Sequence, residues 1–139
     1  MINAADLPER FGADRCFSSA IYFLLTKNSF SAFHRIKSDE LWHFYSGGAL
    51  LVHVIYPDGE YQLLKLGSSM QNGEVFQAVV PAGCWFASEC APGVDYSFAG
   101  CTVSPGFDFA DFEMAEAEKL IKEYPRFQAL ITRLTRAKQ

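Results

Sequence analysis

The sequence predicts an all-β domain, a sandwich or barrel, completed by a pair of C-terminal helices. Eight short apolar runs, separated by turn-forming residues at intervals of about 8–12 residues, are typical of antiparallel sheets. After Ser104 the apolar spacing changes from that of strands to that of helices. The 139 residues, 50% hydrophobic and 20% charged, are enough for one packed core and unlike the composition of a disordered chain.

The predicted strands follow one another between Phe17 and Val103. The segments between them contain residues that end strands, because Asp58-Gly59 and Asn72-Gly73 supply a positive φ and Pro81 fixes φ. The eight predicted strands span residues 17–26, 30–37, 40–45, 49–56, 60–66, 74–80, 84–89 and 94–103.

Two short helices are predicted beyond Ser104. The first has Asp111 as its N-cap, since a carboxylate can accept hydrogen bonds from the first free backbone N–H groups. Pro125 ends this helix and suits the first turn of the second. The two apolar faces comprise Met114, Ala117, Leu120, Ile121 and Tyr124, and then Phe127, Leu130, Ile131 and Leu134. We therefore predict a single domain with an N-terminal extension at 1–16, a β-barrel at 17–104 and helices packed on the barrel at 105–139.

Charge and hydropathy exclude several classes of partner. A net charge of -4 argues against nucleic-acid binding, which needs clustered Lys and Arg. We interpret the basic residues Arg133, Arg136 and Lys138 as a solvated helix end that matches the helix dipole. No apolar run approaches the roughly 20 residues of a membrane helix, and the first residues lack the features of a signal peptide. We therefore expect a cytoplasmic protein that binds neither nucleic acid nor membranes.

The four cysteines are predicted to be reduced and buried. They are Cys16, Cys84, Cys90 and Cys101, and no Cys-x-x-Cys pair occurs. A core of this size does not need disulfide bonds, so the cysteines are interpreted as small apolar residues.

The segment from Ser31 to Gly48 concentrates the side chains that active sites use, including two of the three histidines. Its spacing resembles the first motif of the cupin superfamily, which is His-x-His, three or four residues, Glu, six residues and Gly. His34, Glu40 and Gly47 occupy matching positions. The segment 81–86 resembles the second cupin motif, Pro-x-Gly-x-x-His, with Phe86 in place of the final His.

Longer blocks resemble one branch of that superfamily, the cupin family of unknown function DUF985 (cupin_5). The matching blocks are residues 18–25, 33–48, 79–87 and 101–115, and the resemblance runs from about Phe17 to the end of the chain. The resemblance implies a double-stranded β-helix, which is a jelly-roll-like barrel. It also implies a homodimer, the assembly typical of cupins.

The resemblance bears on metal binding as well. Cupins generally hold a metal inside the barrel through three His and one Glu, whereas here Ile36 and Phe86 occupy two of these positions. His34 and Glu40 are the motif ligands that remain. His43 lies on the opposite face of its strand from Glu40 if the strand is regular. We therefore predict no complete metal site and no cofactor, and keep a divalent metal as the less favoured alternative.

The candidate catalytic residues are His34, Glu40 and Tyr22. The resemblance places the His34 face inside the barrel, where a neutral imidazole beside a carboxylate can perform acid–base chemistry. Tyr45 and Tyr61 are alternatives to Tyr22 as the acid. A competing interpretation is that His34 and Glu40 only satisfy each other's hydrogen bonds.

A second set of residues is predicted to bind the ligand. These residues come from the motif strands and would form a mostly apolar, aromatic cleft with a few polar groups, as small-molecule sites do. They are Trp42, His43, Tyr45, Tyr61, Cys84, Trp85 and Phe86. The competing interpretation assigns the rings to the core or to a dimer interface.

Three functions are consistent with these residues. The favoured one is binding of a small polar organic molecule in an aromatic-lined barrel without a complete metal site. The second is a metal-independent isomerase or epimerase of sugars or sugar nucleotides that uses His34, Glu40 and a tyrosine. The third is a non-catalytic dimeric protein whose barrel is filled by its own side chains.

Overall fold

A computed structural model describes residues 1–137 as nine strands and two α-helices. The strands are β1 (Ser19–Thr26), β2 (Phe30–Arg35), β3 (Asp39–Gly47), β4 (Leu50–Ile55), β5 (Tyr61–Leu66), β6 (Gln77–Val80), β7 (Trp85–Cys90), β8 (Tyr96–Ser104) and β9 (Glu113–Met114). The helices are α1 (Ala117–Glu123) and α2 (Gln128–Arg133). Residues 138 and 139, which include Lys138 of the predicted basic helix end, lie outside the described residues.

The strands form two antiparallel sheets, as the all-β prediction requires. One sheet has the order β1-β8-β3-β6 and the other the order β5-β4-β7-β2-β9. Each of the eight predicted strand segments overlaps one of the strands β1 to β8, although β3, β7 and β8 extend beyond the predicted bounds. The predicted all-β body with two short C-terminal helices is confirmed.

The two sheets differ in how their outer faces are covered. Between the sheets lies a core that contains Trp42, Val52, Phe86 and Cys101. On the outer face of the five-stranded sheet a second core joins Phe33, Trp85 and Ala87 to Leu120 and Ile131 of the helices. This sheet is therefore buried on both faces, and β4 reads as an almost continuous apolar run. The outer face of the four-stranded sheet has no such cover among residues 1–137.

The chain beyond β8 departs from the prediction. Met114, predicted on the first helix, lies in β9 and pairs with His34 at the edge of β2. Asp111 is not the cap of α1, which begins at Ala117 after Glu116. Instead Asp111 forms a buried ion pair with Arg15, with 2.7 Å between Oδ1 and Nη2. The prediction failed because residues 113 and 114 pair with free backbone groups at the edge of β2. This pairing keeps them in an extended conformation, and the helix begins only after them.

The N-terminal segment is held by the same ion pair. Two 3-10 turns, Ala4–Asp6 and Glu9–Phe11, lie between Ile2 and Arg15, which form a β-bridge with each other. The ring of Phe11 is buried, and the Arg15 guanidinium also donates a hydrogen bond to the Phe11 carbonyl. The first sixteen residues therefore pack on the body of the domain near Asp111.

Two further expectations concern the state of the cysteines and the absence of a membrane-spanning helix. All four cysteines are free, and Cys84 and Cys101 are buried, but Cys16 is exposed, contrary to the prediction. Cys16 lies before β1, where the chain crosses the surface. Among residues 1–137, neither helix has the length and apolar character needed to cross a bilayer.

Candidate functional site

A cavity of about 340 Å³ lies between the two sheets, beside the beginning of β1 and the beginning of β3. Its wall is mostly apolar, with a small number of polar groups. Ile21 and Phe107, both exposed to solvent, lie at its rim. The lining residues are Ser19, Ile21, Phe23, Ser31, His34, Ile36, Glu40, Trp42, Cys101, Val103, Phe107 and Phe112.

Strand geometry accounts for the polar groups that reach this cavity. Glu40 and Trp42 are two residues apart on β3 and therefore point to the same side, opposite Val103 and Cys101 of β8. On β2 the register shifts between Ser31 and His34, so that both line the cavity although they are three residues apart. The cavity thus brings His34, Glu40 and Trp42 together as predicted.

The imidazole of His34 has one nitrogen available for chemistry. Its Nδ1 lies 2.8 Å from the carbonyl oxygen of Ala32. Because a carbonyl can only accept, Nδ1 carries the proton and Nε2 keeps a free lone pair. Burial lowers the pKa of His34 from its ordinary value, which keeps the ring neutral at pH 7. The rings of Phe86 and Phe112, with centroids 4.2 and 5.3 Å away, hold the imidazole in place.

Glu40 has the opposite protonation preference. Burial raises the pKa of its carboxyl from 4.5 to about 7, and a hydrogen bond with the Cys101 thiol partly opposes this shift. The Oε2 atom of Glu40 is buried and has no hydrogen-bond partner among residues 1–137. Near neutral pH the carboxyl can therefore donate or accept a proton.

Trp42 adds a hydrogen-bond donor in the same wall. Its side chain is 2% exposed, and Nε1 has no acceptor within the described part of the chain. The ring of Phe23 packs edge-on against the indole at a centroid distance of 5.0 Å and holds it in position. An unpaired buried N–H group is costly, so an acceptor inside the cavity, from a ligand or from water, is favoured.

Three of the other predicted site residues lie on the outer face of the four-stranded sheet. The rings of Tyr22 and Tyr45 are 6.2 Å apart there, and Tyr22 is 79% exposed. His43 lies on the same face, with Nε2 3.2 Å from Oγ1 of Thr102. The four-stranded sheet separates all three side chains from the cavity that His34 and Glu40 line, so none of them lines it.

Tyr61 and Trp85 lie on the outer face of the other sheet. The Tyr61 hydroxyl is 2.7 Å from Nδ1 of His53, whose Nε2 is 2.8 Å from a carboxylate oxygen of Glu89. Trp85 is buried under the helices, with the Arg35 guanidinium 4.4 Å from the centre of its ring. Neither residue lines the cavity.

Cys84 and Phe86 are buried between the sheets but do not line the cavity. Phe86 supports it through its contact with His34. Burial raises the pKa of the Cys84 thiol to about 11, so this group is protonated and a poor nucleophile at pH 7.

Several lining residues were not predicted from the sequence. Cys101 faces the cavity because it pairs with Trp42 across two strands that lie far apart in sequence. Phe107 and Phe112 come from the segment after β8, whose path over the rim has no signature in local periodicity. A known pairing register between β3 and β8 would have identified Cys101.

The donor set does not fit the metal site typical of cupins. Ile36 contributes an apolar side chain to the cavity wall, and Phe86 packs against His34. Within residues 1–137, no group of three or more His, Cys, Asp or Glu side chains is placed to hold a metal ion. His34 and Glu40 alone are fewer ligands than the three protein donors that a catalytic metal usually has.

Comparison with known proteins relates the whole barrel to one family. The family described as Cupin superfamily (DUF985) matches residues 2–115. An uncharacterized protein of Saccharomyces cerevisiae is 35% identical over 109 residues, which are 76% of this chain and 54% of that protein. The chain thus spans about half the length of this curated relative.

Solved structures agree with this assignment of the fold. The crystal structure of a protein from Shewanella oneidensis is 41% identical, with a TM-score of 0.85, and the match covers 90% of this chain and 78% of that one. A dTDP sugar isomerase from Desulfovibrio desulfuricans G20 has a TM-score of 0.64 over 81% of this chain and 71% of its own. At 13% identity, the second likeness shows a shared fold alone.

Proposed function

This chain belongs to the DUF985 family of the cupin superfamily, and we propose that it binds a small organic molecule in the cavity between its two sheets. The observation that carries the proposal is that two residues lining the same apolar-walled cavity, Glu40 and Trp42, each have a buried polar atom without a hydrogen-bond partner in the described chain, Oε2 and Nε1. Both atoms gain a hydrogen bond if a bound molecule presents polar groups to them.

The chemistry of the wall defines the class of ligand. Nε1 of Trp42 donates and calls for a carbonyl or hydroxyl oxygen, whereas Nε2 of His34 accepts and calls for a hydroxyl group. The volume of about 340 Å³ lies at the small end of ligand cavities. A compact apolar skeleton with one carbonyl and one or two hydroxyl groups fits both properties.

Two indole resonances provide a test with an internal control. We would titrate isotope-labelled protein with cyclohexanol and cyclohexanone and follow the Nε1–H signals of Trp42 and Trp85, assigned with a Trp42→Phe variant. Both indole nitrogens are buried and unpaired, but Trp85 lies in the outer core. The proposal predicts saturable shifts of the Trp42 signal alone.

Two results would contradict this proposal. Equal shifts of both indoles would indicate unspecific binding to the core. Unchanged spectra up to the solubility limit of both compounds would mean that the cavity admits no such ligand, which favours the third function, a non-catalytic protein whose role is assembly.

A second candidate function, proton transfer next to a carbonyl group, follows from the protonation states of His34 and Glu40. Nε2 of His34 would remove a proton from carbon, so that a C–H bond breaks and an N–H bond forms. The electron pair moves into a carbon–carbon double bond, and the carbonyl oxygen takes the Glu40 proton. With an α-hydroxy carbonyl substrate, His34 then gives its proton to the former carbonyl carbon and Glu40 takes the proton of the neighbouring hydroxyl group, which yields the isomer without any oxidant or metal. The dTDP sugar isomerase supports this candidate only through its fold.

We also propose that two copies of the chain associate through the outer face of the four-stranded sheet. The rings of Tyr22, Tyr45 and Phe98 form a cluster there with centroid distances of 5.5 to 6.2 Å. The outward positions of β1, β3 and β8 in its centre hold no Lys, Arg, Asp or Glu: they are Ala20, Tyr22, Leu24, Leu41, His43, Tyr45, Phe98, Gly100 and Thr102. An uncharged apolar face can meet its own copy about a two-fold axis without repulsion.

A further inference from the structure

An open cleft of about 750 Å³ adjoins the cavity on the outside of the domain. Ile36 and Phe112 line both spaces, so the cavity and the cleft are adjacent at these two side chains. The cleft is lined by Arg10, Arg35, Ile36, Lys37, Ala82, Gly83, Ala110, Asp111, Phe112 and Glu113. Its charged residues come from the N-terminal segment, the end of β2 and the chain around β9.

Two carboxylates in this lining already form ion pairs with arginine side chains. Glu113 accepts a hydrogen bond from Nε of Arg35 at 2.7 Å, and Asp111 accepts two from the buried Arg15, at 2.7 and 2.8 Å. Arg10 and Lys37 form no ion pair within residues 1–137. The cleft therefore carries two cationic groups whose charge no carboxylate balances.

The Arg10 guanidinium is held in position at this cleft. Its Nε donates a hydrogen bond to the carbonyl oxygen of Lys37 at 2.9 Å, and its carbon atom lies 4.8 Å from the centre of the Phe11 ring. Phe11 is itself buried, so the guanidinium packs against a ring that is fixed by the core. The two terminal nitrogens of Arg10 have no partner among the described residues and can bind two oxygens of one anionic group.

We propose that Arg10 and Lys37 bind an anionic group, a phosphate or a carboxylate, of the same molecule whose uncharged part occupies the cavity. The inference rests on the proposed function, because it assigns the second half of that ligand. The ligand class is then a small organic acid or phosphate ester, with its skeleton near Trp42 and its anion beyond the side chains of Ile36 and Phe112, where the two spaces meet.

Three probes with one skeleton test this inference: benzyl alcohol, benzyl phosphate and phenylacetate. Their affinities would be measured by the Trp42 indole shift at low ionic strength, for the wild-type protein, for R10Q, K37Q and the double variant, and for K65Q as a control. Lys65 is an exposed cation on β5, outside the cleft. We expect at least one anionic probe to bind tenfold or more tightly than the alcohol, with the preference lost in the double variant and kept in K65Q.

The results separate this inference from the function on which it rests. If the alcohol and both anions bind with equal affinity, the anion site is wrong and the cavity proposal stands. If K65Q loses as much affinity as the double variant, the effect is general electrostatics and the anion site is again wrong. If no probe shifts the Trp42 signal, but inorganic phosphate perturbs amide signals around Arg10 and Lys37, the cavity proposal fails and the shared ligand with it. The phosphate and carboxylate probes show which anion is preferred.

Discussion

Glu40 and Trp42 point from the same face of β3 into one cavity, and each ends in a buried polar atom without a hydrogen-bond partner in the described chain. The carboxyl can donate or accept near pH 7, whereas the indole can only donate. His34, across the cavity on β2, adds an acceptor. An apolar interior that keeps two buried polar atoms unpaired is less stable than one in which both are hydrogen-bonded, and this energy difference is available for binding.

The stability of the protein should depend on pH through Glu40. Its pKa is about 7 in the folded state and near 4.5 when unfolded, so the folded state holds the proton to a higher pH. The contribution of Glu40 is then most favourable below pH 4.5 and is lost as the pH rises through 7, by roughly 3 kcal/mol. Glu40→Gln should remove this loss, as measured by urea unfolding between pH 4.5 and 8.

The exposed Glu60 provides the matched control for that measurement. Glu60→Gln should give a stability curve parallel to that of the wild-type protein. His34 acts in the opposite direction, because its lowered pKa costs stability as the pH falls below about 6.5, but it contributes equally to all three proteins. Parallel curves for Glu40→Gln and wild type would show that Glu40 titrates normally.

Proton transfer in the cavity should require His34 but not Tyr22. In deuterium oxide the wild-type protein should exchange the protons next to the carbonyl group of dihydroxyacetone. His34→Gln should slow this exchange by about 10² to 10⁴-fold, the usual contribution of a general base. Tyr22→Phe should leave the rate unchanged, because its hydroxyl lies on the outer face. Exchange that persists in His34→Gln, or is absent from the wild type, would count against the acid–base role.

The proposed dimer should be sensitive to charge on the outer face of the four-stranded sheet. Tyr22→Lys places two like charges near the two-fold axis and should convert the dimer into a folded monomer, as measured by light scattering at micromolar concentration. Tyr56→Phe removes a hydroxyl elsewhere on the surface, where it donates to Gln62, and should leave the dimer intact. A monomeric wild-type protein at this concentration would disprove the proposed interface.

The buried pair of Arg15 and Asp111 should hold the N-terminal segment to the domain. Asp111→Asn leaves the arginine charge buried without its carboxylate, which is far more costly than the loss of an exposed ion pair. Its melting temperature should fall well below that of Lys27→Gln, which breaks the exposed contact with Asp95 at 3.5 Å. Adding Arg15→Met to Asp111→Asn should restore part of the loss. Equal melting temperatures for the two single variants would contradict this role.

Apolar runs and turn residues predict the strands β1 to β8, and alternation predicts how side chains are arranged within one strand. Alternation along β3 places Glu40 and Trp42 on one face and His43 and Tyr45 on the other, and the structure has this arrangement. The same alternation places Phe86 and Trp85 on opposite faces of β7, Phe86 in the core between the sheets and Trp85 in the outer core. These relations are local, because a strand with a period of two residues has only two faces.

What covers each face of a strand depends on how distant parts of the chain pack together. Alternation cannot show that helices bury Trp85 whereas Tyr22 remains exposed, because that depends on which sheet each strand joins. The ion pair of Arg15 and Asp111 joins residues 96 positions apart, and the cleft brings Arg10 to Lys37 across 27 positions. Contacts at such separations arise from chain topology, which leaves no periodic pattern in the sequence. For the same reason Met114, whose spacing is helical, became part of a strand at the free edge of β2.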